Sequence, residues 1–356
     1  MTVNQRRQAS LAVAAFSVIV GGLLEIHDTP LIALTIAGVG MLWSTRKLGA
    51  WLMLAGLAGL GLFWSSLDGS CCSTWFRGRM FYAKAAGDIP YVAWSDVGAS
   101  MFSSCAESQA KTLADSVTLL AEKTVDGQKL EQYRTKIGDF WISSPGRDTI
   151  SWMVWELTAQ SDYESGETVL HQGDTVLDCG AHIGLFTRYA LQRGAGRVIS
   201  VEPDPTNAWC LRENLAAEIA AGQVTLIEAG VWDSKTNLTL WQPEGNSGAK
   251  SFVWEFKEGV SGVPVLPIDD IVADLELDTL DFVKMDIEGS ERRALQGAKM
   301  TLERFKPKMA ICTYHRVDDI DVIPGIVLEA REDYHMHAKN LDLHWGPVNP
   351  KVIFFN

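Results

Sequence analysis

The chain has 356 residues, of which 47% are hydrophobic and 21% charged, with a formal net charge of −13. That length allows two or three folding units. The acidity, with no Lys/Arg cluster longer than two residues, excludes a general nucleic-acid binder, and six cysteines in so long a chain exclude a disulfide framework.

Three apolar runs come first. Residues 8–24, 29–45 and 48–67 carry no charged side chain and are rich in Leu, Ala, Val and Gly. Each is long enough to cross a hydrocarbon core of about 30 Å as a helix. Trp43, Trp51 and Trp64 sit toward the ends of the second and third runs, where an amphipathic ring favours the membrane interface. Three successive runs do not make a signal peptide; the alternative is the apolar core of a soluble helical domain. Residues 1–67 are therefore expected to form a hydrophobic membrane region of two to three transmembrane helices. Arg6-Arg7 and Arg46-Lys47 orient the N-terminus and the second loop toward the cytoplasm. With three crossings, that would leave the rest of the chain outside. Cys71-Cys72 fits either side, as reduced thiols within or a vicinal disulfide without.

Residues 68–145 read as a partly helical connector. Over 106–135, Leu113, Val117, Leu120 and Leu130 fall near helical spacing. Residues 143–148, "SSPGRD", make a turn. Trp152, Trp155 and Leu157 then lie on a helix leading into the last domain.

Residues 146–356 alternate between strand and helix. "DTVLDCG" is a strand, "LFTRYALQR" a helix with Gly194 in the place of a left-handed cap, and "RVISVEP" a second strand. Asp204 caps the next helix, with Pro205 at its first position. "VTLIEA" is a third strand, and residues 232–267 hold a hairpin insertion. "LDFVKM" is a strand, 290–304 a helix with Glu291 in its first turn, and "PKMAICTY" a further strand. This alternation predicts an α/β fold with a doubly wound, mostly parallel, Rossmann-like sheet. Ligands bind such sheets beyond the carboxyl ends of the strands.

The chemistry gathers at those ends. "VLDCGAHIGLF" places Asp178, Gly180, His182 and Gly184 in the first strand-to-helix turn. Gly180 permits dihedrals closed to other residues and lets a ligand approach the backbone. The spacing is G-x-x-x-G after an acid, not the G-x-G-x-x-G of dinucleotide binders. Glu202 ends the second strand, where a carboxylate can accept both hydroxyl hydrogens of a ribose. His182 is a candidate for lining the same pocket. Asp286 and Glu288, in "DFVKMDIEGSE", follow the central strand and face the crevice. Lys284 shares a side with Asp286 by strand alternation, and His315 opens from the end of "MAICTY".

"VLDCGAHIGLFT", "VISVEPDP", "LPIDDI" and above all "DFVKMDIEGSE" resemble the FkbM-type class I S-adenosylmethionine-dependent methyltransferases over about residues 140–320. The resemblance implies S-adenosyl-L-methionine as cofactor. Asp178, Gly180 and Gly184 would cradle its methionine part, with Glu202 on its ribose. Asp286 and Glu288 would face the methyl group and the acceptor. His182 departs from the pattern, since relatives usually show Asn there.

For an oxygen acceptor, Asp286 is the first candidate base and His315 the second, with Lys284 placed to stabilise a developing alkoxide. A divalent metal on Asp286 and Glu288 is chemically reasonable, but two carboxylates alone do not establish one, and no metal is assigned. The expected protein is an O-methyltransferase of a bacterial-type inner membrane. Its acceptor would be a hydroxyl of a sugar, glycolipid or other small or lipid-linked metabolite. The cofactor is kept in the cytoplasm, so the domain is expected there. One apolar run would then re-enter or lie in the interface, or the N-terminus would lie outside. The competing expectation is a membrane-bound, non-catalytic scaffold with the same fold; the intact acids at 178, 202 and 286 argue against it.

Overall fold

The computed structural model describes residues 83–85, 87, 89, 91–95, 97, 117–243, 248–342 and 349–356. The chain divides into two compact units, residues 1–90 with 94–108 and residues 91–93 with 109–356. In the first unit, residues 83–85 are helical. The three apolar runs and Cys71-Cys72 lie outside the described residues. Among the described residues no helix is long and apolar enough to cross a membrane.

The second unit contains an antiparallel sheet of β1 (Thr118–Val125), β2 (Gln128–Thr135) and β3 (Gly138–Ser143). This corrects the helical reading of 106–135 over its described part. The deciding residues are Asp126 and Gly127, at φ 49° and 81°. A two-residue hairpin turn of the primed type needs φ > 0 at both, and Asp-Gly is a favoured pair for it. Leu130, Tyr133, Phe140 and Ile142 then pack with Val176, Phe186 and Phe282 of the following domain. Shared burial, not the spacing of three leucines, decides the local structure here.

Helix α1 (Arg147–Trp155) runs into a wider turn at Glu156–Gln160. Next come β4 (Thr175–Cys179), α2 (Leu185–Gln192), β5 (Arg197–Val201), α3 (Pro205–Asn214), α4 (Ala216–Ala220) and β6 (Val224–Ile227). The expected insertion forms its own sheet from β7 (Gly230–Val231), β8 (Thr236–Gln242) and β9 (Glu258–Leu266). Then follow α5 (Ile268–Asp274), β10 (Phe282–Met285), α6 (Glu291–Gln296), α7 (Lys299–Phe305) and β11 (Lys308–Cys312). Helix α8 (Asp319–Ala330) and the strands β12 (Met336–Asp342) and β13 (Asn349–Phe355) complete the unit. The helix expected over 290–304 is two helices. They part at Gly297, where a Cβ would lie 2.2 Å from the Trp232 carbonyl oxygen.

The main sheet has seven strands in the order β12-β13-β11-β10-β4-β5-β6. β4, β5, β6, β10 and β11 are parallel, and β13 is antiparallel to both of its neighbours. The doubly wound, mostly parallel sheet is thus as the sequence predicted, with an antiparallel hairpin added at one edge. The inner strands are buried along nearly their whole length, which is why they read as continuous apolar runs. The chain moves outward from β4 through β5 to β6, then returns to the other side of β4 through β10. The switch point therefore lies between β4 and β10, and a crevice opens there beyond the strand ends.

Candidate active site

Gly180 follows β4 at φ 78°, and a Cβ on it would lie 2.0 Å from the carbonyl oxygen of Asp286. No side chain fits there, so the β4 turn and the end of β10 meet through bare backbone. Gly184 starts α2 at φ 86°, where a Cβ would lie 2.7 Å from Leu215 Cδ1. Its missing side chain thus lets α2 start against the junction of α3 and α4, not against the sheet. His182 also holds a left-handed conformation, at φ 51°. That is costly for a residue with a side chain and most often kept at functional sites. Its N–H donates to Glu202 Oε2 at 2.8 Å. Burial pushes the His182 imidazole down to about 4, so the ring is neutral at pH 7.

Glu202 ends β5, and its Oε1 accepts the Asp204 N–H at 2.9 Å. Burial raises its carboxyl to about 7, and the charge of Asp204 adds to the rise. Asp204 caps α3 as expected, accepting the Asn207 N–H at 2.9 Å, and pairs with Lys250 at 2.5 Å.

Asp178 is 0% exposed and lies beneath the turn. Its Oδ2 accepts from Thr187 Oγ1 at 2.7 Å, and its Oδ1 faces Lys284 Nζ at 3.2 Å. It therefore supports the turn from below and does not line the crevice. Lys284 stands opposite Asp178 in the β10–β4 ladder. Its ammonium also donates to the carbonyls of Gly180 at 2.7 Å and Cys179 at 3.3 Å. With two hydrogen bonds to carbonyls and an ion pair to Asp178, Lys284 ties β10 to the glycine turn. An alkoxide would compete with these partners for the ammonium, although Lys284 also borders a cavity lined by Tyr163 and Tyr314.

Past β10, Asp286 Oδ2 accepts from the Tyr163 hydroxyl at 2.8 Å, and Oδ1 from the Tyr314 hydroxyl at 3.3 Å. His315 Nε2 lies 3.5 Å from Asp286 Oδ1 and 3.4 Å from Glu288 Oε2, while Nδ1 is 2.9 Å from Glu291 Oε1. Burial opposes ionisation of Asp286, but Lys284, His315 and Tyr163 outweigh it and hold the carboxyl at about 2. Burial raises Glu288. Burial also works against charge on His315, yet Glu291 and Glu288 hold it well above its ordinary value. Glu291 is more than the helix-start acid expected of it. It is 0% exposed, and Oε1 also accepts the Ile287 N–H at 3.0 Å.

Two adjoining cavities open on these groups. One is lined by Gly180, His182, Glu202, Asn207, Lys250 and Asp286 among others. The other includes Trp152, Tyr163, Phe186, Lys284, Asp286 and Tyr314 in its wall. Gly180, His182, Gly248, Asp286 and Glu288 border both. The structure thus gathers Gly180, His182, Glu202, Lys284, Asp286, Glu288 and His315 in one region, and places Asp178 and Gly184 behind it. Sequence reasoning missed Tyr163, Tyr314 and the role of Glu291. Tyr314 was legible as the residue beside His315, whereas Tyr163 sits in a loop with no motif to mark it.

Residues 178–338 match the model of the Methyltransferase FkbM domain. Over these residues the chain is similar to the FkbM methyltransferases. Over 148 residues it is 25% identical to the 2-O-methyltransferase NoeI of Sinorhizobium fredii, which covers 37% of this chain and 60% of that protein. The chain thus spans less than two thirds of that relative. A methyltransferase FkbM from Methylobacillus flagellatus KT, solved by crystallography, is 24% identical, covers 70% of this chain and 58% of its own, and superposes with a TM-score of 0.41. A putative methyltransferase from Streptococcus mutans, solved with S-adenosylhomocysteine, is 14% identical, covers 52% of this chain and 90% of its own, and has a TM-score of 0.33. FkbM enzymes use S-adenosylmethionine, and the first cavity fits it. Gly180 borders that cavity, and Glu202 in its wall offers carboxylate lone pairs to a ribose.

Proposed function

We propose that the FkbM domain is an O-methyltransferase held at an inner membrane by residues 1–67, acting from the cytoplasmic side. Its acceptor is a hydroxyl of a sugar, glycolipid or lipid-linked metabolite. One observation carries the reading: the cavity holding Glu202 and the cavity holding Tyr163 and Tyr314 meet at Gly180 and Asp286. A nucleoside on the first and a hydroxyl in the second lie within reach of each other, which supplies the proximity that methyl transfer chiefly needs. The printed name of the Sinorhizobium relative, a 2-O-methyltransferase, supports an oxygen acceptor. Trp152, Tyr163 and Phe186 supply flat apolar faces suited to a sugar ring. The three charge-free runs support the membrane placement.

Bound S-adenosylmethionine supplies a sulfonium methyl: the acceptor oxygen forms the new C–O bond, the C–S electron pair stays with sulfur to give S-adenosylhomocysteine, and the hydroxyl proton leaves. Asp286 accepts the hydrogen bond of that hydroxyl and so aims its lone pair. The proton becomes strongly acidic as the C–O bond forms, so even a carboxylate held at about 2 can take it. Tyr163 and Tyr314 fix the rotamer of Asp286 by donating to its two oxygens.

The test is incubation of the full chain with methyl-labelled cofactor and membrane extract. Label is expected in a lipid or glycolipid fraction, and no uptake in any fraction by a protein that binds S-adenosylhomocysteine contradicts the reading. Cofactor binding carries its own pH signature. A ribose donates to the ionised form of Glu202, so binding releases a proton below about pH 7, the value at which Glu202 titrates in the free protein. Affinity for S-adenosylhomocysteine, followed by calorimetry, is expected to rise by up to about tenfold per pH unit below that point and level off above it. Glu202→Gln should bind weakly with a flat profile; a flat profile in the unaltered protein would contradict the assignment.

A further inference from the structure

We propose that Asp286, Glu288 and His315 hold a divalent cation at the mouth of the crevice, with Glu291 as the residue that orients His315. The inference rests on reading the crevice as a methyl-transfer site. One ligand atom from each of the three residues can be chosen so that all lie within 4.8 Å of one another. Carboxylates gather for many reasons, so the histidine carries the argument. His315 is 4% exposed, and its Nε2 has no hydrogen-bond partner among the described residues. That nitrogen points between Asp286 Oδ1, at 3.5 Å, and Glu288 Oε2, at 3.4 Å. These separations exceed the roughly 2.7–2.9 Å of a charge-assisted hydrogen bond. They match the spacing of co-ligands: two atoms about 2.1 Å from one ion, at angles of roughly 90–110°, lie about 3.0–3.4 Å apart.

The surroundings are those of a metal-bound imidazole. Nδ1 donates to Glu291 Oε1 at 2.9 Å, which leaves Nε2 to present its lone pair to the ion. A carboxylate behind a ligating histidine fixes its tautomer and raises its basicity. Glu291 is in turn held by the Ile287 N–H. Glu288 reaches the cluster from a left-handed backbone conformation, φ 52°, a strain kept mostly where function requires it. Ser251 of the insertion donates to the Glu288 carbonyl at 2.6 Å and braces that turn.

Two carboxylates and one imidazole suit a cation of intermediate hardness, for which Mn2+ is the probe. Three protein ligands leave coordination positions open for an acceptor hydroxyl. An oxygen bound there becomes more acidic. Asp286 Oδ2, which faces Tyr163 and not His315, remains to take its proton.

The test is Mn2+ titration of the purified full chain, read by loss of the free-ion paramagnetic resonance signal. S-adenosylhomocysteine binding is measured on the same samples to report the cofactor site separately. One equivalent of Mn2+ is expected. His315→Ala should abolish it while S-adenosylhomocysteine still binds, and Glu288→Gln should weaken it. Glu291→Ala should weaken it about 10–100-fold, with Glu291→Gln recovering part. A folded, S-adenosylhomocysteine-binding chain that takes up no Mn2+, or variants that bind it as tightly as the parent, would overturn the metal site and leave the methyltransferase reading intact.

Discussion

Asp286→Asn should lower methyl transfer by about a thousandfold, the scale of a lost general base, while S-adenosylhomocysteine affinity changes by less than about threefold. The substitution is nearly isosteric. It leaves the Asp286 N–H on the Cys179 carbonyl at 3.2 Å, and the Asn oxygen can still accept from Tyr163. What is lost is the negative charge that faces both the acceptor and His315. Labelled transfer, with calorimetry on the same preparation, separates the two effects. Retention of more than a tenth of the activity would remove Asp286 from the chemistry.

Lys284→Met should destabilise the domain by about 3–5 kcal/mol, because it strands a fully buried carboxylate. Asp178 is 0% exposed and Lys284 is 4% exposed, so solvent cannot replace the lost ammonium. The substitution also unties the Gly180 and Cys179 carbonyls. For a unit of this size the thermal midpoint should fall by roughly 6–20 °C. Adding Asp178→Asn should restore part of the loss, since it removes the stranded charge, and the double-mutant cycle measures that coupling. A loss under about 1 kcal/mol, typical of an exposed pair, would show that the pair does not hold the turn.

These two residues also mark what could be read from the chain alone. Strand alternation predicts Lys284 and Asp286 on one side, and both border the second cavity. It could not show that Lys284 lies beneath the turn, because depth depends on which strand is the neighbour. The pairing of Lys284 with Asp178 across the β10–β4 ladder decides that. The parallel sheet was legible since strands buried on both faces are apolar throughout. The β12–β13 hairpin was not, because polar residues such as Lys339 and Asn349 interrupt it. The first sheet is hidden because Leu113, Leu120 and Leu130 fall near helical spacing, although the Asp126-Gly127 turn is the stronger local signal. Tyr163 had no signal at all, since a loop residue 123 positions from Asp286 is brought there only by the fold.

The central claim is that one crevice at the β4–β10 switch point joins a ribose-binding carboxylate to an acceptor-facing one. A crystal structure of the chain with S-adenosylhomocysteine tests it most directly. The account predicts ribose hydroxyls on Glu202, the amino-acid part along Gly180, and the sulfur turned toward Asp286. A nucleoside bound elsewhere, or one that leaves Glu202 untouched, would contradict it.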